Sequence, residues 1–332
     1  SDDGSVLSDV IHSQIATHAP YGGVVPELAA RDHLGNISPV LRGALERAGV
    51  GLDQIDGIAV TTGPGLSGAL LIGIQVARGL AWARNLPIVG VDHLVGHLLA
   101  VFVHPQGTPA PALQYPFVAL LVSGGHTALY RVEGPDPEQI SELGATRDDA
   151  AGEAYDKVAK LTGLGYPGGP VIDRLAAEGN PERIELALPM RKKSTLEFSF
   201  SGLKTDVARW VEAAGPLGPD SIKDLCAAFQ RRVVDTLVSK SMLAVREQQL
   251  ERLVIVGGVA ANRELRARAK AQADRLGIQL VVPPLANCTD NAAMIAYAGS
   301  HRLRRGEDQR ASLTMAPRTT LHRVTRKGRG AR

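Results

Sequence analysis

Apolar positions along the chain follow two alternating rhythms, short continuous runs and stretches of helical spacing, with glycine or proline between them. Ile58-Ala59-Val60-Thr61-Thr62 predicts a buried strand, and Gly63-Pro64-Gly65 turns it into a helix over about 67–83. Pro87-Ile88-Val89-Gly90-Val91 predicts a second strand, with a helix from about His93 to Phe102 behind it. From His104 to Pro116 there are four prolines and no Asp, Glu, Lys or Arg, which reads as a connection between lobes. The runs Phe117–Val122 and Leu129–Val132 bracket Ser123-Gly124-Gly125-His126-Thr127 and predict a hairpin. A helix is expected over about 148–161, and Tyr166-Pro167-Gly168-Gly169-Pro170 opens another that reaches Glu178. Leu225, Phe229, Val233 and Leu237 recur at helical spacing in a long helix over about 222–248. The strand Leu253–Val256 enters Gly257-Gly258, a helix covers 263–276, the strand Gln279–Val282 stops at Pro283-Pro284, and a last helix runs from Asp290 or Asn291 to about Arg305.

Strands that feed glycine turns and helices predict α/β layering, with ligands near the strand C-termini. The repetition of this unit in the first and last thirds points to two related lobes facing a cleft. The 332 residues suit two lobes of roughly 100–200 residues each. With 44% hydrophobic and 21% charged residues the composition is that of a globular protein, and no apolar run approaches the ~20 residues that span a bilayer. Two cysteines give no disulfide framework, and the polar opening Ser1-Asp2-Asp3-Gly4 does not look like a signal peptide, so cytoplasm is the expected location. A net charge of +3 does not by itself announce nucleic-acid binding. After Asp308, however, every charged residue is basic: Arg310, Arg318, Arg323, Arg326, Lys327, Arg329 and Arg332. Such a tail reads either as a phosphate-contacting arm or as a solvated terminus.

His93 and His97 stand four apart in Asp92-His93-Leu94-Val95-Gly96-His97, so on a helix both imidazoles face one way and can reach one cation. A metalloprotease helix needs a glutamate beside its first histidine, and Leu94 occupies that place. Asp290, after the Pro-Pro stop, is the candidate carboxylate ligand, although Asp290 or Thr289 also suits the cap of the final helix. Two histidines and one carboxylate with open positions suit Fe(II), and Zn(II) accepts the same set. The glycine turns at 63–65, 123–127, 168–169 and 257–262 offer backbone N–H groups to phosphate or another polar ligand. Asn262 could read a hydroxyl or base edge there, Asp156 and Asp173 could accept from ribose hydroxyls, and Lys204 could meet phosphate or lie on the surface.

Longer stretches resemble a known family. Tyr21-Gly22-Gly23-Val24-Val25-Pro26-Glu27-Leu28-Ala29, Gly63-Pro64-Gly65, the His93/His97 pair and Leu121–Thr127 are similar to the bacterial tRNA N6-adenosine threonylcarbamoyltransferases. So are Asp149–Lys157, Tyr166–Pro170, Phe198–Thr205, Gly257–Asn262 and Cys288–Met294, in the family's order and over about Val6 to Pro317. The resemblance implies two actin-like (ribonuclease-H-like) lobes with a cleft between them: residues 1–112 with 288–317, residues 113–287, and a basic tail over 318–332. It implies a metal, Fe(II) or Zn(II), on His93, His97 and Asp290. The substrate threonylcarbamoyl-AMP would contact Leu121, Val122, Ser123, Gly124 and Gly125, with Asp156, Gly169, Asp173 and Asn262 around the adenosine part. The implied activity is an acyl transfer that places threonylcarbamoyl on N6 of the adenosine immediately 3′ of the anticodon, in tRNAs reading ANN codons. The implied partners are tRNA, a paralogous actin-like subunit (TsaB-like) and a small P-loop ATPase (TsaE-like), with no membrane involved.

Family members ordinarily begin with a strand and a Gly-Ile-Glu-Ser-Ser-Cys-Asp-Glu-Thr-like loop, so a first lobe without its first strand is expected here, with a non-catalytic scaffold as the alternative function. The usual His-His-x-Glu-Gly-His stretch reads Asp92-His93-Leu94-Val95-Gly96-His97, which keeps both implied ligands. A sugar or acid kinase is disfavoured by imidazole ligands, because magnesium prefers carboxylate and water oxygens.

Overall fold

The computed structural model describes residues 1–188, 190 and 195–325. The chain starts with β1 (Ser5–Val6), α1 (Ile15–His18), α2 (Pro26–Ala48), β2 (Ile58–Gly63), α3 (Ser67–Arg84), β3 (Ile88–Asp92), α4 (His93–Leu99) and β4 (His104–Pro105). It continues through β5 (Phe117–Val122), β6 (Thr127–Val132), β7 (Ile140–Ala145), α5 (Ala151–Leu161), α6 (Gly168–Ala176) and α7 (Ser201–Ala214). Then come α8 (Pro219–Glu247), β8 (Arg252–Val256), α9 (Arg263–Leu276), β9 (Gln279–Val281) and α10 (Ala292–Arg304). No described helix is long and apolar enough to cross a membrane.

These elements form two compact units. The first contains Ser1–Gln114, Gly134–Gln139 and Thr289–His322; the second contains Tyr115–Glu133, Ile140–Cys288 and, of the described residues after 322, 323–325. The sequence reading assigned 134–139 to the second lobe and 318–322 to a tail, and both belong to the first unit. Residues 326–332, the most basic part of the expected tail, lie outside the described residues.

In the first unit β2 and β3 run parallel with Ile58 opposite Ile88, and β1 pairs parallel with β4. β3 is buried throughout, whereas β2, expected to be a buried strand, is only partly covered. β2 and β3 are each other's only described strand partner. β3's other edge is closed by side chains and backbone from the C-terminal stretch. Asp308 Oδ1 and Gln309 Oε1 accept from the Ile88 and Gly90 N–H groups, and the Gln309 N–H donates to the Ile88 carbonyl. An edge that would otherwise expose polar backbone is thereby satisfied. Ile74, Ala77 and Ala81 of α3 pack with Ile88 and Leu313 into a core beside this pair.

The second unit is built on a five-stranded sheet in the order β7-β6-β5-β8-β9. The all-apolar strand β5 takes the middle, antiparallel to β6 and parallel to β8, and every one of its residues is buried. A strand covered on both faces reads as such a continuous run. The 29-residue helix α8 lays Leu225, Phe229, Val233 and Leu237 into the same core at 0% exposure. Each such side chain contributes about 1.5–3 kcal/mol of transfer free energy.

Besides the short β1, α1 and β4, three elements were not read from the sequence. β7 escapes notice because its inward positions are Ile140, Glu142 and Gly144, so the apolar alternation breaks. Glu142, 5% exposed, is buried because its Oε1 accepts the backbone N–H groups of Val324 and Thr325. α2 hides behind Gly35, Pro39 and Gly43, residues that normally interrupt helices. α7 is held at its start by a carboxylate from elsewhere in the chain rather than by a local cap. Asp148 Oδ1 accepts from the N–H groups of Phe200 (2.8 Å) and Ser201 (3.3 Å), and its Oδ2 accepts from the Ser199 and Ser201 hydroxyls.

Candidate functional site

His93, His97 and Asp290 lie together in the first unit, with their ligand atoms all within 4.8 Å of one another. His93 Nε2 stands 3.4 Å and His97 Nε2 3.1 Å from Asp290 Oδ1, and the two rings meet edge to face at 4.6 Å. His97 is buried, His93 partly so, and the Asp290 side chain is 77% exposed. Neither ring nitrogen of His97 has a hydrogen-bond partner among the described residues, so the 3.1 Å approach to Asp290 is a close contact off the hydrogen-bonding direction. Buried polar atoms left in this way are costly. A donor set of two imidazoles and a carboxylate, with a buried imidazole nitrogen unsatisfied, fits a divalent cation. Burial pushes the His97 pKa down, and this outweighs the pull of Asp290 toward the charged form, so the ring stays neutral, as a ligand must be.

Several residues outside the triad place it. Asp92 caps α4 by accepting the Leu94 N–H at 2.9 Å, which fixes the turn that carries His93. Its other oxygen accepts from Thr319 Oγ1 (2.7 Å), Thr320 N (2.7 Å) and Thr320 Oγ1 (3.1 Å), so the stretch after Pro317 is fastened to the start of α4. Gly96 and Gly299 let α10 approach closely. A Cβ at Gly96 would stand 2.7 Å from Ile295, and one at Gly299 would stand 2.4 Å from Ala59. The cap of α10 is Asn291, whose Oδ1 accepts the Met294 N–H at 2.9 Å, so neither Thr289 nor Asp290 fills that role and the Asp290 carboxylate is released toward the histidines. Asp9 accepts from the Ala292 N–H, and burial raises its pKa. Neither Asp9 nor the positioning role of Asp92 was legible in the sequence.

In the second unit, Leu121 and Val122 are core residues of β5 at 0% exposure, so what they offer a ligand is the placement of the loop behind them. That loop is a tight turn. Ser123 N donates to the His126 carbonyl at 2.8 Å, His126 N donates to Ser123 Oγ at 3.2 Å, and a Cβ on Gly124 or Gly125 would meet nothing within 4 Å. Asp156 is half-buried, its Oδ1 accepts the Gly168 N–H at 2.7 Å, and burial raises its pKa. Gly168 is packed, a Cβ there standing 2.6 Å from Ala159, whereas Gly169 opens onto free space. Lys204 is half-buried on α7. Gly63 serves packing, since Ala316 passes so close that any Cβ would collide with its carbonyl.

Asp173 and Asn262 are brought together, with partners that the sequence reading did not name. Asn262 Nδ2 donates to Asp173 Oδ1 (3.0 Å) and to Gln230 Oε1 (2.7 Å). Both of its amide hydrogens are therefore engaged, which leaves no donor with which to read a base edge. Arg263 Nε donates to Asp173 Oδ2 at 2.8 Å and its guanidinium also reaches the Asp173 carbonyl. A cavity of about 340 Å³ borders this cluster, with Asp173, Gln230, Arg231, Arg263 and Glu264 as its polar lining and Ala176, Ala177 and Pro181 among its apolar lining.

Residues 5–297 match the protein-family model described as TsaD: tRNA N6-adenosine threonylcarbamoyltransferase. A protein of that name from Sorangium cellulosum (strain So ce56) is 60% identical over 338 residues, covering 100% of this chain and 95% of its own length. Its namesake from Geobacter sp. (strain M21) is 54% identical, covering 91% of this chain and 86% of its own. Full-length HypF in a phosphate- and nucleotide-bound form is similar in fold, with a TM-score of 0.57 at 13% identity over 80% of this chain and 41% of HypF. HypF from T. kodakarensis gives 0.53 at 12% identity over 82% and 44%. The mixed α/β fold is thus one that HypF shares.

Proposed function

The chain belongs to the tRNA N6-adenosine threonylcarbamoyltransferase family, and from that premise we propose that it transfers a threonylcarbamoyl group from threonylcarbamoyl-AMP to N6 of the adenosine immediately 3′ of the anticodon in tRNA. The observation that carries this reading is the 60% identity to a protein of that name along the whole chain. Each unit supplies part of the chemistry. In the first, His93, His97 and Asp290 would hold a divalent cation, Fe(II) or Zn(II), and the orphaned nitrogen of His97 supports it. When bound, that cation supplies Lewis-acid stabilisation of oxyanion charge.

In the second unit, the open turn at Gly124-Gly125, the start of α6 at Gly169, and the Asp173 and Asn262 cluster beside the cavity would take the adenylate. Free N–H groups at a glycine turn and at a helix start suit phosphate and carboxylate oxygens. Catalysis by this chain's residues is then positioning of the adenylate with AMP as leaving group, and the amine of the target adenosine is the nucleophile. The same reading carries two actin-like lobes, a cytoplasmic setting where tRNA is found, and a paralogous actin-like subunit with a small P-loop ATPase as partners. The exposed apolar side chains of Ile15, Tyr21, Val24 and Leu34 in the first unit support a protein partner.

The test is mass spectrometry of tRNA nucleosides after unmodified tRNA and threonylcarbamoyl-AMP are incubated with the chain, its paralogous partner and iron or zinc. Threonylcarbamoyladenosine should form, and His97→Ala should abolish it. Failure of the wild-type chain to form it with either metal would sink the proposal.

A further inference from the structure

Gln230 is 2% exposed on α8, yet it borders the cavity of the second unit. Its amide joins three elements. Oε1 accepts from the Tyr155 hydroxyl of α5 (3.3 Å) and from Asn262 Nδ2 at the start of α9 (2.7 Å), and Nε2 donates to Asp173 Oδ1 of α6 (3.2 Å).

A single backbone group sets the direction of this chain of bonds. The Leu265 N–H donates to the Asn262 side chain at 2.9 Å, so the atom it meets has to be Oδ1. The other end of Asn262 is then the nitrogen, and the Gln230 atom 2.7 Å from it has to be an acceptor. That turns the Gln230 nitrogen toward the Asp173 carboxylate. A reversed Gln230 would set N–H against N–H on one side and oxygen against carboxylate oxygen on the other.

We propose that Gln230 is a positioning residue for nucleoside recognition: it acts through Asp173 and Asn262, fixing the orientation of the amide and occupying one carboxylate oxygen. The assignment rests on the adenylate reading of this cluster given above and adds a residue to it. It narrows what the cluster offers a ligand. Asn262 has only acceptor capacity left on Oδ1, and Asp173 accepts ribose donors while its own orientation is held by Gln230, Asn262 and Arg263. Such a network is either wholly satisfied or costly, so its members act as one.

The experiment measures AMP binding to the full chain by calorimetry between about pH 5 and pH 8.5, beside thermal unfolding of every variant. Gln230→Glu is nearly isosteric and puts a second carboxylate where Nε2 now stands, and two carboxylates this close share a proton. Its Kd for AMP should rise about tenfold near pH 8 and return toward the wild-type value near pH 5, where that proton is retained. Gln230→Met keeps the length without the polar atoms and should weaken AMP about tenfold at every pH. Tyr155→Phe leaves the bonds to Asp173 and Asn262 and should stay within about threefold. A Gln230→Glu chain that binds AMP like wild type throughout, or is weakened equally at every pH, overturns the positioning role while leaving the adenylate reading intact. A wild-type chain that does not bind AMP overturns that reading, and the role of Gln230 falls with it.

Discussion

His97 illustrates how one side chain can be a poor element of a bare fold and a good element of a site. It is 1% exposed with both ring nitrogens unpaired, which costs stability unless something accepts its lone pair. His97→Leu is therefore expected to leave thermal stability of the metal-free chain unchanged or higher, while bound iron or zinc, counted by elemental analysis after reconstitution, falls from about one per chain to near zero. Asp148 shows the opposite case, a carboxylate whose partners are all in place. Burial raises its pKa, but bonds from Ser199, Ser201 and Phe200 outweigh it and set the folded value below the ordinary one. The stability it contributes is present above the unfolded pKa of about 3.9 and is lost as pH falls through the lower folded value. Asp148→Asn should cost about 1.5–3 kcal/mol at neutral pH in a denaturant titration. The gap between variant and wild type should close as pH drops below about 4.

At the scale of elements, the strands and helices that were legible are those whose apolar spacing is unbroken, such as β5 and α8. What was not legible depends on partners far along the chain. β7 was hidden by Glu142, which is inward-facing only because residues 324–325 bind it. The start of α7 was hidden because its cap is Asp148, more than fifty residues earlier. The site was legible to the same extent. The His93 and His97 pair follows from helical spacing, and Asp290 was a candidate from its place after the Pro-Pro stop, where only the family resemblance weighed it above a capping role that Asn291 turns out to fill. Gln230 was not singled out, although it stands four residues after Cys226 and three before Val233, on the apolar stripe of α8. The two glycines opening α6 separate packing from ligand access. Gly168→Ala should destabilise by about 1–3 kcal/mol, its new methyl group meeting Ala159 and the Tyr155 carbonyl. Gly169→Ala should change stability by no more than about 1 kcal/mol and instead weaken AMP binding, as unfolding and calorimetry on the same samples would show.

Across the whole molecule, the stretch from Asp308 to Leu321 does for the first unit what a further strand does elsewhere. It closes the edge of β3, places Leu313 in the core and fastens Thr319 and Thr320 to Asp92. A chain ending before Asp308 should lose more thermal stability than Thr320→Val, which removes one 3.1 Å bond and is expected to cost about 1 kcal/mol. If the truncated chain melted like the intact one, the closing role of this stretch would be refuted. The division of the sequence between the units also imposes an order in time. His93 leaves the ribosome well before Asp290, and the whole of 140–288 is made before the last segment of the first unit, Thr289–His322. At about 5–20 residues per second, residues 1–114 wait roughly 10–40 s for α10 and the stretch that closes β3. The unit whose synthesis begins first is thus still incomplete when residues 140–288, the body of the second, have been made. During that interval β2, β3 and the two histidines are exposed to any apolar surface or metal ion that reaches them before Asp290 does.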